Sequence, residues 1–134
     1  DQARNAMLDY DAYYKAVNGQ VNDLFYYYRE QAALKARQYQ RALDDIVKAV
    51  ELSPKDLTYR AEHAVVNLRV GRYEESMKIL NEILKDEPKY GEAYRLLGLC
   101  QIQLKKTDEA CGNFNKAKEL GDPNVDELIK KYCK

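Results

Sequence analysis

At 134 residues the chain is the size of one ordinary domain, long enough to bury a core without disulfides or a structural metal. Lys plus Arg equals Asp plus Glu at 22 each, and no block is basic, so neither a nucleic-acid surface nor an anionic-membrane surface is expected. No apolar run approaches the length of a membrane span.

Residues 3–17, ARNAMLDYDAYYKAV, are predicted to form an amphipathic helix with Tyr10, Tyr13 and Tyr14 at i, i+3 and i+4. Asn18-Gly19-Gln20 breaks it. The next helix opens on Leu24-Phe25-Tyr26-Tyr27-Tyr28, a crowd of rings in a chain with 12 tyrosines, 2 phenylalanines and no tryptophan. Successive helical residues point about 100° apart, so four adjacent rings cannot share one face. Phe25 is expected to point back towards residues 3–17 and Tyr26 into its own helix pair. Tyr27 and Tyr28 then turn to the open side. Ala36-Arg37-Gln38 is a short polar turn, and a second helix runs from it to a break at Pro54. The same order recurs twice. A helix, the turn Val70-Gly71-Arg72 and a helix lead to Pro88, and a helix, the turn Lys105-Lys106-Thr107 and a helix lead to Gly121-Asp122-Pro123. Gly121 suits a left-handed helix cap, and Asp122-Pro123 reads as the N-cap and first turn of a last helix. That helix, residues 123–133, carries Val125, Leu128, Ile129 and Tyr132 along one side.

Pro54 and Pro88 lie 34 residues apart, and the breaks near residues 20 and 122 fall on the same comb. Each period is therefore an antiparallel helix pair, which cannot bury its apolar faces alone and must stack on its neighbours.

These units resemble tetratricopeptide repeats. In the third, Tyr94, Leu97, Gly98, Ala110, Phe114 and Ala117 stand where that family places its large ring, Leu-Gly pair, close-contact alanine, second ring and last alanine. The first repeat has Tyr26, Ala42, Ile46, Ala49 and Pro54 in matching slots, but Arg29 and Glu30 replace Leu-Gly. The second has Arg60 in the ring slot, with Ala64, Tyr73, Leu80, Ile83 and Pro88 still fitting. The resemblance implies an all-α fold, a right-handed α-solenoid of antiparallel helix pairs, as one domain over residues 1–134. A partial repeat occupies 1–22, full repeats occupy 23–56, 57–90 and 91–124, and a capping helix occupies 125–134.

For function, the resemblance implies a non-catalytic module whose first helices line a concave groove that binds a peptide or protein segment. The groove would take Tyr27, Tyr28, Gln31 and Lys35 from the first repeat, Glu62, Val65 and Arg69 from the second, and Glu92, Arg95 and Leu99 from the third. Two alternatives stay open. Tyr27 and Tyr28 only pack on the N-terminal helix, or the module is structural, packing against another domain of a longer parent or forming a homo-oligomer. Chaperone-binding members of the family hold the carboxylate of an EEVD-type peptide with bases and an asparagine. The matching positions here carry Tyr27, Gln31, Glu62, Glu92 and Leu96, two acids and no base, so that clamp is not expected.

An enzyme would need a nucleophile with a base, a phosphate-cradling glycine loop or a metal cluster, and none is legible. His63, the one histidine, has no Cys or second His at ligand spacing, so no metal and no cofactor are expected. Cys100 sits among leucines as a small buried hydrophobe. Cys111 and Cys133 lie equally far from the turn at Asp122, opposite one another in an antiparallel pair. They are either a disulfide or two reduced thiols, according to compartment. The ending Lys-Lys-Tyr-Cys-Lys with an upstream Ala-Cys also resembles exported bacterial members of the family. The chain opens on Asp1 without a signal-peptide pattern, which leaves location open between export and cytoplasm. Arg29 occupies an inward slot roughly level with Asp45 on the next helix, which suggests an ion pair, either partly shielded from water or exposed.

Overall fold

The computed structural model describes residues 1–134, as eight α-helices with no strand. They are α1 (Gln2–Ala16), α2 (Asp23–Lys35), α3 (Tyr39–Leu52), α4 (Leu57–Arg69), α5 (Tyr73–Asp86), α6 (Gly91–Gln103), α7 (Thr107–Glu119) and α8 (Asp126–Tyr132). No helix is long and apolar enough to cross a membrane.

Local chemistry sets the boundaries. The Asp1 and Asn22 side chains accept hydrogen bonds from the amides of Arg4 (2.9 Å) and Phe25 (3.0 Å), which satisfies orphan donors at the starts of α1 and α2. The turn inside each helix pair passes through one left-handed residue, and these residues are Arg37, Gly71 and Lys105, spaced by the period of 34. Each turn is closed in the same way. The amides of Gln38, Arg72 and Lys106 donate to the carbonyls of Ala33, Asn67 and Gln101, each at 2.8 Å. Arg37 and Lys105 hold φ at 58° and 61°, where a glycine would be relaxed.

The helices gather into two compact units, residues 1–66 and 67–134. In the first, Met7 of α1, Ala33 and Leu34 of α2, Ala42, Ile46 and Ala49 of α3, and Tyr59 and Val66 of α4 form one buried cluster. The periodic alanines are fully buried, where any larger side chain would push the helices apart.

In the second unit, Ala110, Phe114, Ala117 and Val125 make a buried cluster, with Tyr94, Leu128, Ile129 and Tyr132 against it. Gly98 has a steric reason: a Cβ there would lie 2.3 Å from the Phe114 ring. A disulfide joins Cys111 of α7 to Cys133, just past α8, with Cα atoms 5.7 Å apart. Cys100 is a buried free thiol, and burial pushes its pKa up. The expected N-cap role of Asp122 is replaced by another. α8 begins at Asp126, not beside Pro123, because Arg95 Nε donates to Asp122 Oδ2 at 2.8 Å while the amide of Asn124 donates to Oδ1 at 2.8 Å. A tertiary ion pair thus holds the carboxylate that local sequence assigns to helix capping.

Candidate functional site

The crowded rings of α2 separate by face. Phe25 packs on Tyr10, Tyr13 and Tyr14 of α1 with centroids at 5.6, 5.8 and 6.0 Å, and on Tyr26 at 5.9 Å. Tyr27 turns the other way. Its ring lies 5.3 Å from that of Tyr59 on α4 and 5.4 Å from that of Tyr28. Tyr27 is half-buried, whereas Tyr28 is 51% exposed and faces a cleft of about 660 Å³ between α1 and α2, shared with Ala6, Tyr10, Gln31 and Lys35. Leu24, Leu8 and Tyr13 are also exposed on these two helices.

Two polar contacts tie the start of α2 to α4 and to the end of α3. The Asp23 carboxylate accepts from the Tyr59 hydroxyl at 2.9 Å and the Ser53 hydroxyl at 3.0 Å, and these bonds hold its pKa below the usual range. Burial, then the Asp23 bond, pushes the Tyr59 phenol up to about 12. Behind the rings, the Arg29 guanidinium grips Asp45 with two bonds, Nε to Oδ2 at 2.9 Å and Nη2 to Oδ1 at 2.8 Å. Its third nitrogen reaches Asp11 at 3.4 Å, and Asp11 also pairs with Arg41. The guanidinium lies 5.0 Å from the Tyr14 ring centroid and 5.1 Å from that of Phe25.

Glu30 is the anomaly. It is fully buried, no donor reaches either carboxyl oxygen, and the Glu62 carboxyl is the neighbour that can accept its proton. Burial, the neighbouring Glu62 carboxyl of α4 and the charge of Asp45 push its pKa up to about 10, so it holds a proton at neutral pH. Glu62 is half-buried next to Tyr27. Burial first, then the Glu62 charge, raises the Tyr27 phenol, while Gln31 works against them.

The first unit therefore brings together Tyr27, Tyr28, Gln31 and Glu62 of the groove residues expected from sequence. It adds Glu30 and Tyr59, which that reading did not include. Lys35 is exposed in the α1–α2 cleft, and Val65 is half-buried on α4. In the second unit, Arg69 is exposed, Leu99 packs partly against the Phe114 cluster, and Arg95 is committed to Asp122 and, at 3.6 Å, to Glu92. Glu92 also accepts from the Tyr90 hydroxyl at 2.8 Å. No group of three or more His, Cys, Asp or Glu side chains is arranged to hold a metal ion.

The tetratricopeptide repeat family model matches residues 31–86 and 62–125. The chain belongs to the tetratricopeptide repeat family. It is 29% identical over 99 residues to small glutamine-rich tetratricopeptide repeat-containing protein 2 of Mycosarcoma maydis, covering 74% of this chain and 28% of that protein. It is 31% identical over 101 residues to heat shock protein STI1 of Saccharomyces cerevisiae, covering 72% of this chain and 17% of that protein. The chain thus spans less than a third of the length of either relative. Among solved structures it resembles YrrB, described as a tetratricopeptide repeat protein with an unusual peptide-binding site. The TM-score is 0.80 at 19% identity, over 97% of this chain and 66% of that one. It also resembles the first such domain of Spaghetti (RPAP3) bound to the HSP90 peptide SRMEEVD, with a TM-score of 0.72 at 21% identity, over 83% of this chain and 87% of that one. The fold is the helical solenoid of this family.

Proposed function

We propose that this tetratricopeptide repeat chain is a non-catalytic binding module, and that its first unit seats a peptide or protein segment on the face formed by α2 and α4. The observation that carries the reading is the ring pair of Tyr27 and Tyr28. Tyr27 faces α4, where Tyr59 and its Asp23 bond hold it, and Tyr28 beside it is left half in water at the α1–α2 cleft. Rigid rings with a hydroxyl offer large contact area at low entropic cost. Two structural neighbours, one described with a peptide-binding site and one bound to a peptide, support the reading. For Tyr27 the alternative of packing only on α1 is weakened by geometry, since Phe25 makes that contact and Tyr27 faces α4, whereas Tyr28 borders α1 across the cleft.

Arg95 and Glu92 form a less favourable second set, because Arg95 must break its bond to Asp122 before it can hold a ligand. RPAP3 binds an EEVD-ended peptide, whereas the first unit here presents Tyr27, Gln31 and Glu62 at the matching positions. We therefore propose that a C-terminal carboxylate is not its ligand.

Peptides selected from a random displayed library on the intact chain test the reading. Tyr27→Ala/Tyr28→Ala should bind them about 5–100-fold more weakly with helicity retained, and SRMEEVD should not bind. Selected peptides that bind the double variant as well as the parent would refute it.

A further inference from the structure

We infer that Glu62, with Glu30 buried behind it and the Tyr27 and Tyr28 rings alongside, is a site for the guanidinium of an arginine in the bound segment. The inference rests on the proposal that the α2–α4 face takes a peptide and names the chemistry that face selects. Three observations converge on it. Glu62 is half-buried, solvent can reach it, and its carboxyl neighbours the buried Glu30. Glu30, fully buried beside it, receives no donor at either carboxyl oxygen and has the Glu62 carboxyl as its polar neighbour, so two acids share one proton in an arrangement that an arriving positive charge would relieve. The adjacent rings are 5.4 Å apart and tilted by 50°, and the face of a single ring is one on which a guanidinium stacks better than an ammonium.

The molecule already contains the same recipe. Arg29 is held by the Asp45 carboxylate while lying over the rings of Tyr14 and Phe25. On the α2–α4 face, Glu62 and the Tyr27 ring likewise set a carboxylate beside an aromatic ring.

The charges around Glu30 make the site sensitive to pH. From α3 it faces Asp45, whose charge Arg29 of α2 neutralises together with Asp11 of α1. From α4 it faces Glu62. With Glu62 anionic, Glu30 keeps its proton. A guanidinium on Glu62 offsets that charge and favours release of the proton, so the guanidinium and the proton compete. Arginine should therefore bind more tightly as pH rises from 7 to 9.

The probes are N-acetyl-arginine amide, N-acetyl-lysine amide and the neutral isostere N-acetyl-citrulline amide. They are titrated into the full chain while the Tyr27 and Tyr28 ring resonances are followed by NMR. We expect saturable shifts for arginine with a Kd of about 1–10 mM, weaker ones for lysine and none for citrulline. Glu62→Gln should weaken arginine binding about tenfold or more with an unchanged amide spectrum, and Glu62→Lys should abolish it. Glu30→Gln should bind arginine at pH 7 within about threefold of the parent but lose the tightening at pH 9. Equal shifts for citrulline, no saturation with arginine, or unchanged binding by both Glu62 variants would overturn the site. If that happened while Tyr27→Ala/Tyr28→Ala still lost the library peptides, the peptide-binding proposal would stand without the arginine site. Library peptides indifferent to the tyrosines would remove both.

Discussion

Replacing Glu30 by Gln should make the protein more stable, and increasingly so as the pH rises. In the folded chain the Glu30 carboxyl is raised from an ordinary 4.5 to about 10 by burial, by Glu62 and by Asp45. Between those values the folded state holds a proton that the unfolded chain has released. The slope of unfolding free energy with pH is 2.303RT times the proton excess of the unfolded state, which is negative here. Stability is therefore highest below about pH 4.5 and is lost as the pH climbs towards 10, by up to about 1.4 kcal/mol per unit. From pH 5.5 to 8.5 the loss from this one group is about 4 kcal/mol at full slope. Gln has nearly the same shape, does not titrate, and can donate its amide to the Glu62 carboxylate, so it should remove that slope without leaving a void. The assay is urea unfolding of parent and variant at intervals across this window, following helical circular dichroism. Subtracting the two curves cancels every other titrating group. The midpoints should lie close together near pH 5 and separate steadily towards pH 8.5, with the variant ahead. Parallel curves, or a variant less stable throughout, would show that the Glu30 carboxyl is solvated or paired in solution, and the reasoning built on its burial would fail.

Arg29→Met should cost about 3–5 kcal/mol, since Asp45 is left buried with no other partner. Asp45→Asn should cost less, because Arg29 keeps Asp11 and two rings, and thermal melts of both single variants and the double variant check the asymmetry. Reducing the Cys111–Cys133 bond, which closes a span of 22 residues, should remove about 3 kcal/mol from the second unit. Thiol titration of the denatured chain should count one free thiol before reduction and three after. Gly98→Ala should cost about 1–3 kcal/mol, because the Phe114 ring occupies the space its methyl group needs. Adding Phe114→Leu should recover part of the loss in melting temperature.

Periodicity carries long-range information because it samples the whole chain. The positions of the turns, the alanine contacts and the face-splitting of the tyrosines all follow from a spacing of 34 and a helical turn of 100°, and the left-handed residues at 37, 71 and 105 repeat that spacing in the backbone. What depends on contacts between distant side chains was less legible. Asp122 carries the local signature of a helix cap, yet Arg95, 27 residues away, holds its carboxylate. Asp11 joins the Arg29 network, and draws in Arg41 of α3, from a flanking helix for which the period supplies no template. Glu30 was visible as a departure from the Leu-Gly pair, but the neighbouring Arg29 drew the explanation to itself. The clue lay 16 residues on, where the first repeat has Ile46 and the third has Phe114. The division of the chain near Val66 has no local signal, since it falls inside α4 where hydrophobic pattern and charge continue unchanged.

The same comparison explains how a carboxylate can occupy a glycine slot. Positions 98 and 114 in the third repeat correspond to 64 and 80 in the second and to 30 and 46 in the first, giving the pairs Gly-Phe, Ala-Leu and Glu-Ile. Phe114 leaves no room for a side chain at Gly98, whereas the smaller Ile46 at the matching place in the first repeat leaves room for one at position 30. An apolar residue at position 30 could fill that room equally well, and it would avoid the cost of desolvating an acid. Packing therefore explains why position 30 can hold a side chain as large as glutamate but not why that side chain is an acid. The energetic disadvantage is confined to the one interior position that abuts Glu62 and the paired rings of Tyr27 and Tyr28. A local rule broken at a single place, beside an exposed ring, is the pattern expected when stability is given up for recognition.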